Sequence, residues 1–462
     1  MRRGAGKAIW SMLAVMGSLA LATGARAEEP KKNGSHGEEV GPSPAVLTSP
    51  NIKLELHSSI QLDFAGFSDK EDTIPNVAGS QENTIFAKRV RVTIKGKLFN
   101  NIGFYVTEAF DSTPNSAPAP YVIDAQASIP AAPWLEFTFG LMKMPFSEER
   151  LKSFATHMPF MERSLASNLE NKRSQGAVMR LHTPDKDAVS FYAGIFTGEL
   201  LTAPNTDDYF EYVGRIVFRF DQMFDGFPGV SNLGASFADG IREPIGNKTM
   251  SYTGKTMNEL TWFQAVPVNG HRTRWEGDYE WRYQSVWFGG EYIHSEEQRN
   301  HVTVNLMTKA GLDKNVVRNL DPLVEEGFNV FFVVVLTGED AKPIIEPKGQ
   351  YGAVSLAVRY SMVSFDNQEH KIKSNKAPKP IYGREVNDTA TPLNGTSSAL
   401  GRKSINDAER DLTAGINWDL KPGVFIQFAV IYQWFDASNP YNASRGPGRY
   451  DVNYRGRVGV TF

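Results

Sequence analysis

Along most of this chain apolar and polar residues trade places one by one, and that period of two restricts its fold more than any other feature. Ile52, Leu54, Leu56, Ile60, Leu62 and Phe64 interleave with Lys53, Glu55, His57, Ser59, Gln61 and Asp63. A run of about a dozen alternating residues is long for a strand in a soluble sheet, but it suits a strand crossing a bilayer at a tilt. In the next segment Phe86, Val90, Val92, Ile94 and Leu98 make one face, interrupted by Lys88 and Gly96. Arg89, Arg91, Thr93, Lys95 and Lys97 make the other. The final segment repeats the pattern: Tyr450, Val452, Tyr454, Gly456, Val458 and Val460 alternate with Arg449, Asp451, Asn453, Arg455, Arg457 and Thr461, and the terminal residue is Phe462. A regular strand ending on an aromatic residue is read here as the signal for the barrel-insertion machinery.

Sixteen such segments are expected: 52–64, 86–98, 102–110, 119–129, 133–142, 174–183, 188–198, 208–221, 230–240, 271–283, 285–297, 325–337, 350–365, 408–420, 422–436 and 449–462. Short turns at Asn100-Asn101, Ala131-Ala132, Pro184-Asp185-Lys186 and Lys421-Pro422-Gly423 trade places with long polar stretches at 68–84, 143–173, 241–270, 298–324 and 366–407. Short turns at one end and long loops at the other mark an all-β, antiparallel transmembrane barrel of about sixteen strands. One connection, 338–349, is too long for the short-turn end. A helical period of a turn or two stands out only within 147–166.

The beginning of the chain points to export. Arg2, Arg3 and Lys7 precede an apolar run from Ala8 to Ala22, and Ala25-Arg26-Ala27 supplies small residues for cleavage after Ala27. The apolar run is shorter than a membrane-spanning helix requires. The expected division is therefore a cleaved signal peptide over 1–27, a disordered polar lead-in over 28–50 and an outer-membrane barrel over 51–462. The leader holds four of the 49 basic residues and none of the 52 acidic ones, so the mature chain carries seven more acidic than basic groups. Nothing suggests a nucleic-acid partner. With no cysteine, disulfides and thiolate metal sites are excluded. The eight histidines are scattered, and no nucleotide loop or serine elbow is present, so neither a metal nor a cofactor is expected.

A charge on the lipid face of a barrel costs ~2–4 kcal/mol at midplane, so the basic face of 86–98 is expected to point inward. Arg89, Arg91, Lys95 and Lys97 then form a ladder facing water. Parity places Arg215 and Arg219 inside on 208–221, and Arg455 and Arg457 inside on the last strand. Closing the barrel sets first and last strands side by side, one strand from the ladder. The competing reading is a mixed wall balanced by Lys53, Glu55, Asp63, Glu276, Asp278 and Glu280. Trp134, Tyr192, Phe218, Phe220, Tyr292, Tyr360, Tyr432 and Trp434 are expected to form aromatic girdles at the two interfaces.

The sequence resembles the phosphate-selective porins O and P of Gram-negative outer membranes over nearly all of its mature length. The resemblance rests on Phe139-Gly140-Leu141-Met142-Lys143-Met144-Pro145-Phe146, Met161-Glu162-Arg163-Ser164-Leu165 and Arg173-Ser174-Gln175-Gly176. It continues at Val335-Leu336-Thr337-Gly338-Glu339, Gly352-Ala353-Val354, Val358-Arg359-Tyr360-Ser361 and Gly415-Ile416-Asn417-Trp418. The family commonly has Gly after the Pro-Phe pair, where this chain has Ser147-Glu148-Glu149, and Val354-Ser355 replaces part of a Gly-Ala-Trp-Glu element. The resemblance implies a sixteen-stranded barrel, usually trimeric, with the third loop (here 143–173) folded into the lumen. Lys143, Arg150, Lys152, Arg163, Lys172 and Arg173 are then candidates for the constriction, with Glu148, Glu149, Glu162 and Glu170 among them. It also implies passive diffusion of small anions such as phosphate or polyphosphate. A general or cation-preferring channel, favoured by the net acidity, and more remotely a barrel enzyme using His57, stand as alternatives.

Overall fold

A computed structural model of the chain describes residues 45–67, 83–99, 101–113, 119–152, 159–170, 173–184, 186–198, 208–242, 254–255, 261–263, 266, 268–307, 313–366, 384–385, 406–436 and 450–462. The leader with Ala25 and Ala27 lies outside the described residues, as does most of the expected lead-in. Of the six lead-in residues that are described, 45–50, Ala45–Ser49 form a short strand that pairs back on Ile52–Leu56.

Sixteen antiparallel strands close into a barrel. In chain order they are β1 Ile52–Phe67, β2 Thr84–Leu98, β3 Ile102–Ala109, β4 Tyr121–Ala132, β5 Leu135–Met142, β6 Ser174–His182, β7 Val189–Phe196 and β8 Glu211–Arg219. They continue as β9 Val230–Arg242, β10 Gly270–Tyr283, β11 Val286–Met307, β12 Asp313–Val335, β13 Ala353–Asp366, β14 Asn406–Lys421, β15 Val424–Phe435 and β16 Tyr450–Thr461. Each pairs with its sequence neighbours, and β16 returns to β1 with Ser59 opposite Thr461 and Asp63 opposite Arg457. Among the described residues, closure gives each of the sixteen strands a neighbour on both sides, as a lipid environment demands of a sheet. At the seam the Phe462 backbone both donates to and accepts from Ser58, at 3.0 and 2.7 Å.

The period of two becomes an inside and an outside. Ile60, Leu62, Val92, Ile94, Phe137, Phe139, Leu356, Val358, Leu412 and Ile416 lie on the outer surface, while His57, Ser59, Gln61, Asp63 and Thr93 are buried within. The interruption at Lys88 has a structural cause. Gln61 pairs with Arg89 but Leu62 with Ala87, so Lys88 is the extra residue of a β-bulge. The bulge flips the parity beyond it, and Phe86 turns inward with Lys88 and Arg89, all three buried. Tyr192 likewise faces in, beneath the Arg180 guanidinium, and does not join the outer aromatic girdle. Tyr360 and Trp434 pack together on the outer face, 6.1 Å between ring centroids.

Two connections depart from the expected scheme. The polar stretch 298–324 is largely strand: β11 and β12 continue as one hairpin, still in register at Met307 and Asp313. At ~3.3 Å per residue, its 22- and 23-residue strands exceed what a bilayer needs by about twofold, so the hairpin extends beyond the membrane. Its polar, irregular pairing near Arg299 masked the strand period in the sequence. On the short-turn end, residues 336–352 form an extended connection between β12 and β13.

Candidate functional site

The inward faces of β1, β2 and β16 meet at the seam, and there the basic residues converge. Arg457 donates to both Asp63 carboxylate oxygens, at 2.6 and 2.8 Å. Arg455 lies 4.0 Å from the same group, its guanidinium over the Phe86 ring. Arg89 donates to Gln61 at 2.9 Å. Lys88, Arg89 and Arg457 all reach Glu162, at 3.2, 3.4 and 3.2 Å. Within this cluster four cations thus share two carboxylates, a local excess of two positive charges. Burial opposes ionisation of Glu162, but Lys88, Arg89, Arg457 and Arg455 outweigh it and hold the carboxyl below its ordinary range.

Toward the short-turn end the wall stays basic. Lys95 faces Glu55 and Lys97 faces Lys53 across the β1–β2 pairing, and Glu55 pairs with Lys53 at 2.5 Å. Three lysines here accompany one carboxylate. Arg91 lies on the same face but is clamped by Asp111, with contacts of 2.5 and 3.1 Å. The other two inward arginines expected from parity sit elsewhere. Arg215 is enclosed by Glu276, Asp278 and Glu148 at 2.8–3.0 Å. Arg219 binds Asp187 near the short turn between β6 and β7. The structure therefore joins Arg89, Arg455 and Arg457 and leaves Arg215 and Arg219 apart.

Glu162 reaches the cluster because the described residues of the connection 143–173 meet inward-facing side chains of the barrel. They bond to such side chains around most of the wall. Arg215 donates to the Phe146 carbonyl, Ser147 to Glu291 and Arg274 to the Leu169 carbonyl. Arg359 donates to the Glu162 carbonyl at 2.8 Å, and Asn417 to that of Pro159. A helical turn at Glu148–Leu151 is capped by the Ser147 hydroxyl, and Leu165–Leu169 forms a 3-10 turn. Leu165, Ala166 and Leu169 bury against Leu323 and Val363. Gly327 makes that approach possible, since a Cβ there would lie 2.8 Å from the Ala166 Cα.

Of the six basic residues expected at a constriction, Lys172 lies outside the described residues and the other five hold the loop itself. Lys143 donates to the Leu151 and Lys152 carbonyls, and Arg163 to those of Glu149, Arg150 and Lys152. Arg150 lies 3.5 Å from Glu170, Lys152 contacts Glu280, and Arg173 grips both oxygens of Asp124 on β4. Glu149 ties the loop halves together through the Ser164 amide and hydroxyl. Sequence reasoning named Glu162 only as one of several loop acids and Lys88 only as a flaw in an apolar face. The parity break at Lys88 was the available signal; nothing local marked Glu162, whose partners lie on strands far away in the chain.

The model of the family described as phosphate-selective porin O and P matches residues 54–445. No curated protein sequence matches the chain. Among solved structures it is similar to OmpT of Vibrio cholerae, an outer membrane protein, with 9% identity, 90% of this chain and 99% of that one covered, and a TM-score of 0.50. The outer membrane channel DcaP of Acinetobacter baumannii is 9% identical over 90% and 99% of the chains, with a TM-score of 0.49. An anion-selective porin from Comamonas acidovorans is 12% identical over 89% and 100%, with a TM-score of 0.47. A sixteen-stranded closed barrel with a charged interior, matched over most of its length by one family model, belongs to the phosphate-selective porin O and P family, outer-membrane channels for passive diffusion of small solutes.

Proposed function

We propose that this channel conducts small anions, phosphate and polyphosphate included, along the β16–β1–β2 wall. The observation that carries the reading is the charge imbalance of Lys88, Arg89, Arg455 and Arg457 against Asp63 and Glu162, continued by Lys53, Lys95 and Lys97. Guanidinium groups already sharing carboxylates can exchange one acceptor for another, replacing part of an anion's hydration shell without trapping it. Among the described residues, four acidic side chains across the lumen are held by partners of their own. Glu276 and Asp278 are engaged with Arg215, Glu280 with Lys152, and Glu291 with Ser147.

Export through a signal peptide cut after Ala27, insertion guided by Phe462, and assembly as a homotrimer in outer-membrane lipid complete the proposal, the last on family membership. Planar-bilayer recording in a KCl gradient tests the selectivity. A reversal potential on the anion side supports it, and one on the cation side makes this a general or cation-preferring channel.

A further inference from the structure

The edge that β1 turns toward β16 is shared by two segments of the chain. β16 pairs with Ser59 through Phe67, and Phe462 ends that ladder opposite Ser58. Nearer the short turns Ala45–Ser49 takes the same edge, with Ala45 opposite Leu56 and Ser49 opposite Ile52, because β2 already holds the other edge. The two segments therefore lie in one line, and only the position opposite His57 separates Ala45 from Phe462. A chain continuing before Ala45 along this line would run into Phe462. Pro44 and Pro42 suit a departure from the sheet, since a proline has no N–H to continue a ladder.

The two sides of the wall offer different exits. On the outer side Leu47 lies beside Leu54, and Ile52, Leu56 and Ile60 are apolar and exposed, so lipid-facing surface borders the gap above and below. Residues 28–44 carry Glu28, Glu29, Glu38 and Glu39 against Lys31 and Lys32. Charged groups and unpaired backbone are both costly against lipid. On the inner side His57 is buried in the wall, and Lys53, Lys95 and Lys97 stand on the lumen face. Glu55 pairs with Lys53 at 2.5 Å. Among the described residues no carboxylate lies within ion-pair distance of Lys95 or Lys97. Lys95 sits opposite Glu55 on β2, two strands or about 10 Å across from Ala45. Glu39 precedes Ala45 by six residues, a tether of up to ~20 Å.

We propose that residues 28–44 turn into the short-turn mouth and dock Glu38 and Glu39 on Lys95 and Lys97, a tethered occupant of the basic wall. A tether this short holds the two carboxylates at an effective concentration of roughly millimolar, so they compete with dilute anions for the lysines and yield to concentrated ones. The contact is water-exposed, and salt weakens it as the screening length falls from ~10 Å at about 0.1 M to ~3 Å at about 1 M. The proposal requires the barrel and its seam, whichever ion the channel prefers.

The test uses the full chain in membranes. The chain has no cysteine, so Glu39→Cys with Lys95→Cys supplies a single pair, and mild oxidation should join the two within one chain. A control pair, Glu39→Cys with Ile94→Cys, places the second thiol on the outer face and should join at least about tenfold more slowly. Absence of the Lys95 link, or equal joining at Ile94, overturns the docking. A second measurement needs no cysteine. Glu38→Gln with Glu39→Gln should raise single-channel conductance about twofold at about 0.1 M salt, with the difference gone at about 1 M. Equal conductance at the lower salt refutes competition with the conducted anion. The cross-link reads docking whatever the sign of the reversal potential, so it and the anion reading fail separately.

Discussion

Replacing Glu162 by Gln removes one charge and almost no volume. The side chain keeps an acceptor oxygen for Arg89 and Arg457, which approach it at 3.4 and 3.2 Å. The four cations then share only Asp63, and their excess rises from two charges to three. An anion seated among them lies about 5 Å from the lost carboxylate. That repulsion amounts to ~0.8 kcal/mol at the dielectric of water and ~3 kcal/mol at an effective value of about 20. An open lumen sits near the lower figure, and every ~1.4 kcal/mol is tenfold, so anion affinity should rise about four- to tenfold. The assay is conductance against phosphate or chloride concentration in a planar bilayer at about 0.1 M salt or below, where screening beyond ~10 Å is incomplete. An unchanged or cation-shifted permeability ratio in Glu162→Gln would show that the cluster lies off the conducting path. The pH dependence adds a check. A carboxyl held below its ordinary value stabilises the fold fully above the unfolded pKa of ~4.3, and that stability is lost only as pH falls through the lower folded value. The difference between wild type and variant should therefore persist at pH about 4.

Other outcomes follow from the packing. Gly327→Val should push Ala166 and its 3-10 turn off β12, costing ~1–3 kcal/mol and exposing the lumen loop to added protease; an unchanged digestion pattern counts against the contact. Arg173→Ala frees Asp124 from its two-pronged partner and should lower barrel stability by ~1.5–3 kcal/mol, read as the temperature at which the folded gel band disappears. Ile94→Arg places a charge on the outer face at ~2–4 kcal/mol, whereas Thr93→Arg points into the lumen and should be tolerated. Phe462→Ala should reduce the amount assembled in membranes while leaving the conductance of detergent-refolded channels unchanged, because its backbone bonds to Ser58 do not depend on the ring.

The strands and their facing were legible because period two needs no knowledge of partners. Outward Ile94 and inward Thr93 follow from local alternation alone. Reading failed where the period itself was broken or diluted. The bulge at Lys88 reversed Phe86. Tyr192 was assigned to the girdle against the parity of its own strand, where it shares a face with buried Ser190 and Phe196 while Phe191 and Ile195 point outward. The β11–β12 hairpin was hidden because, beyond the membrane, neither face has to be apolar. For the site, parity placed Arg89, Arg455 and Arg457 inside, and closure brought them together. It could not say which carboxylates they share. Asp63 was legible only as an inward acid, and Glu162 arrives through a tertiary path set by Arg359, Asn417 and Gly327.

The Asp63–Arg457 pair joins residues 394 apart, across the seam where the last strand meets the first. A contact of such sequence separation forms late, after nearly all the intervening chain is ordered. Until β16 docks, Asp63 lacks Arg455 and Arg457, and Glu162 lacks two of its four cations. The charged site is thus assembled by the same event that seals the wall. A half-inserted barrel would leak without discriminating among ions, and removing Arg457 should slow closure as well as alter the current. On the function proposed above, one pair of side chains would then serve both the conducted ion and the sealing of the wall.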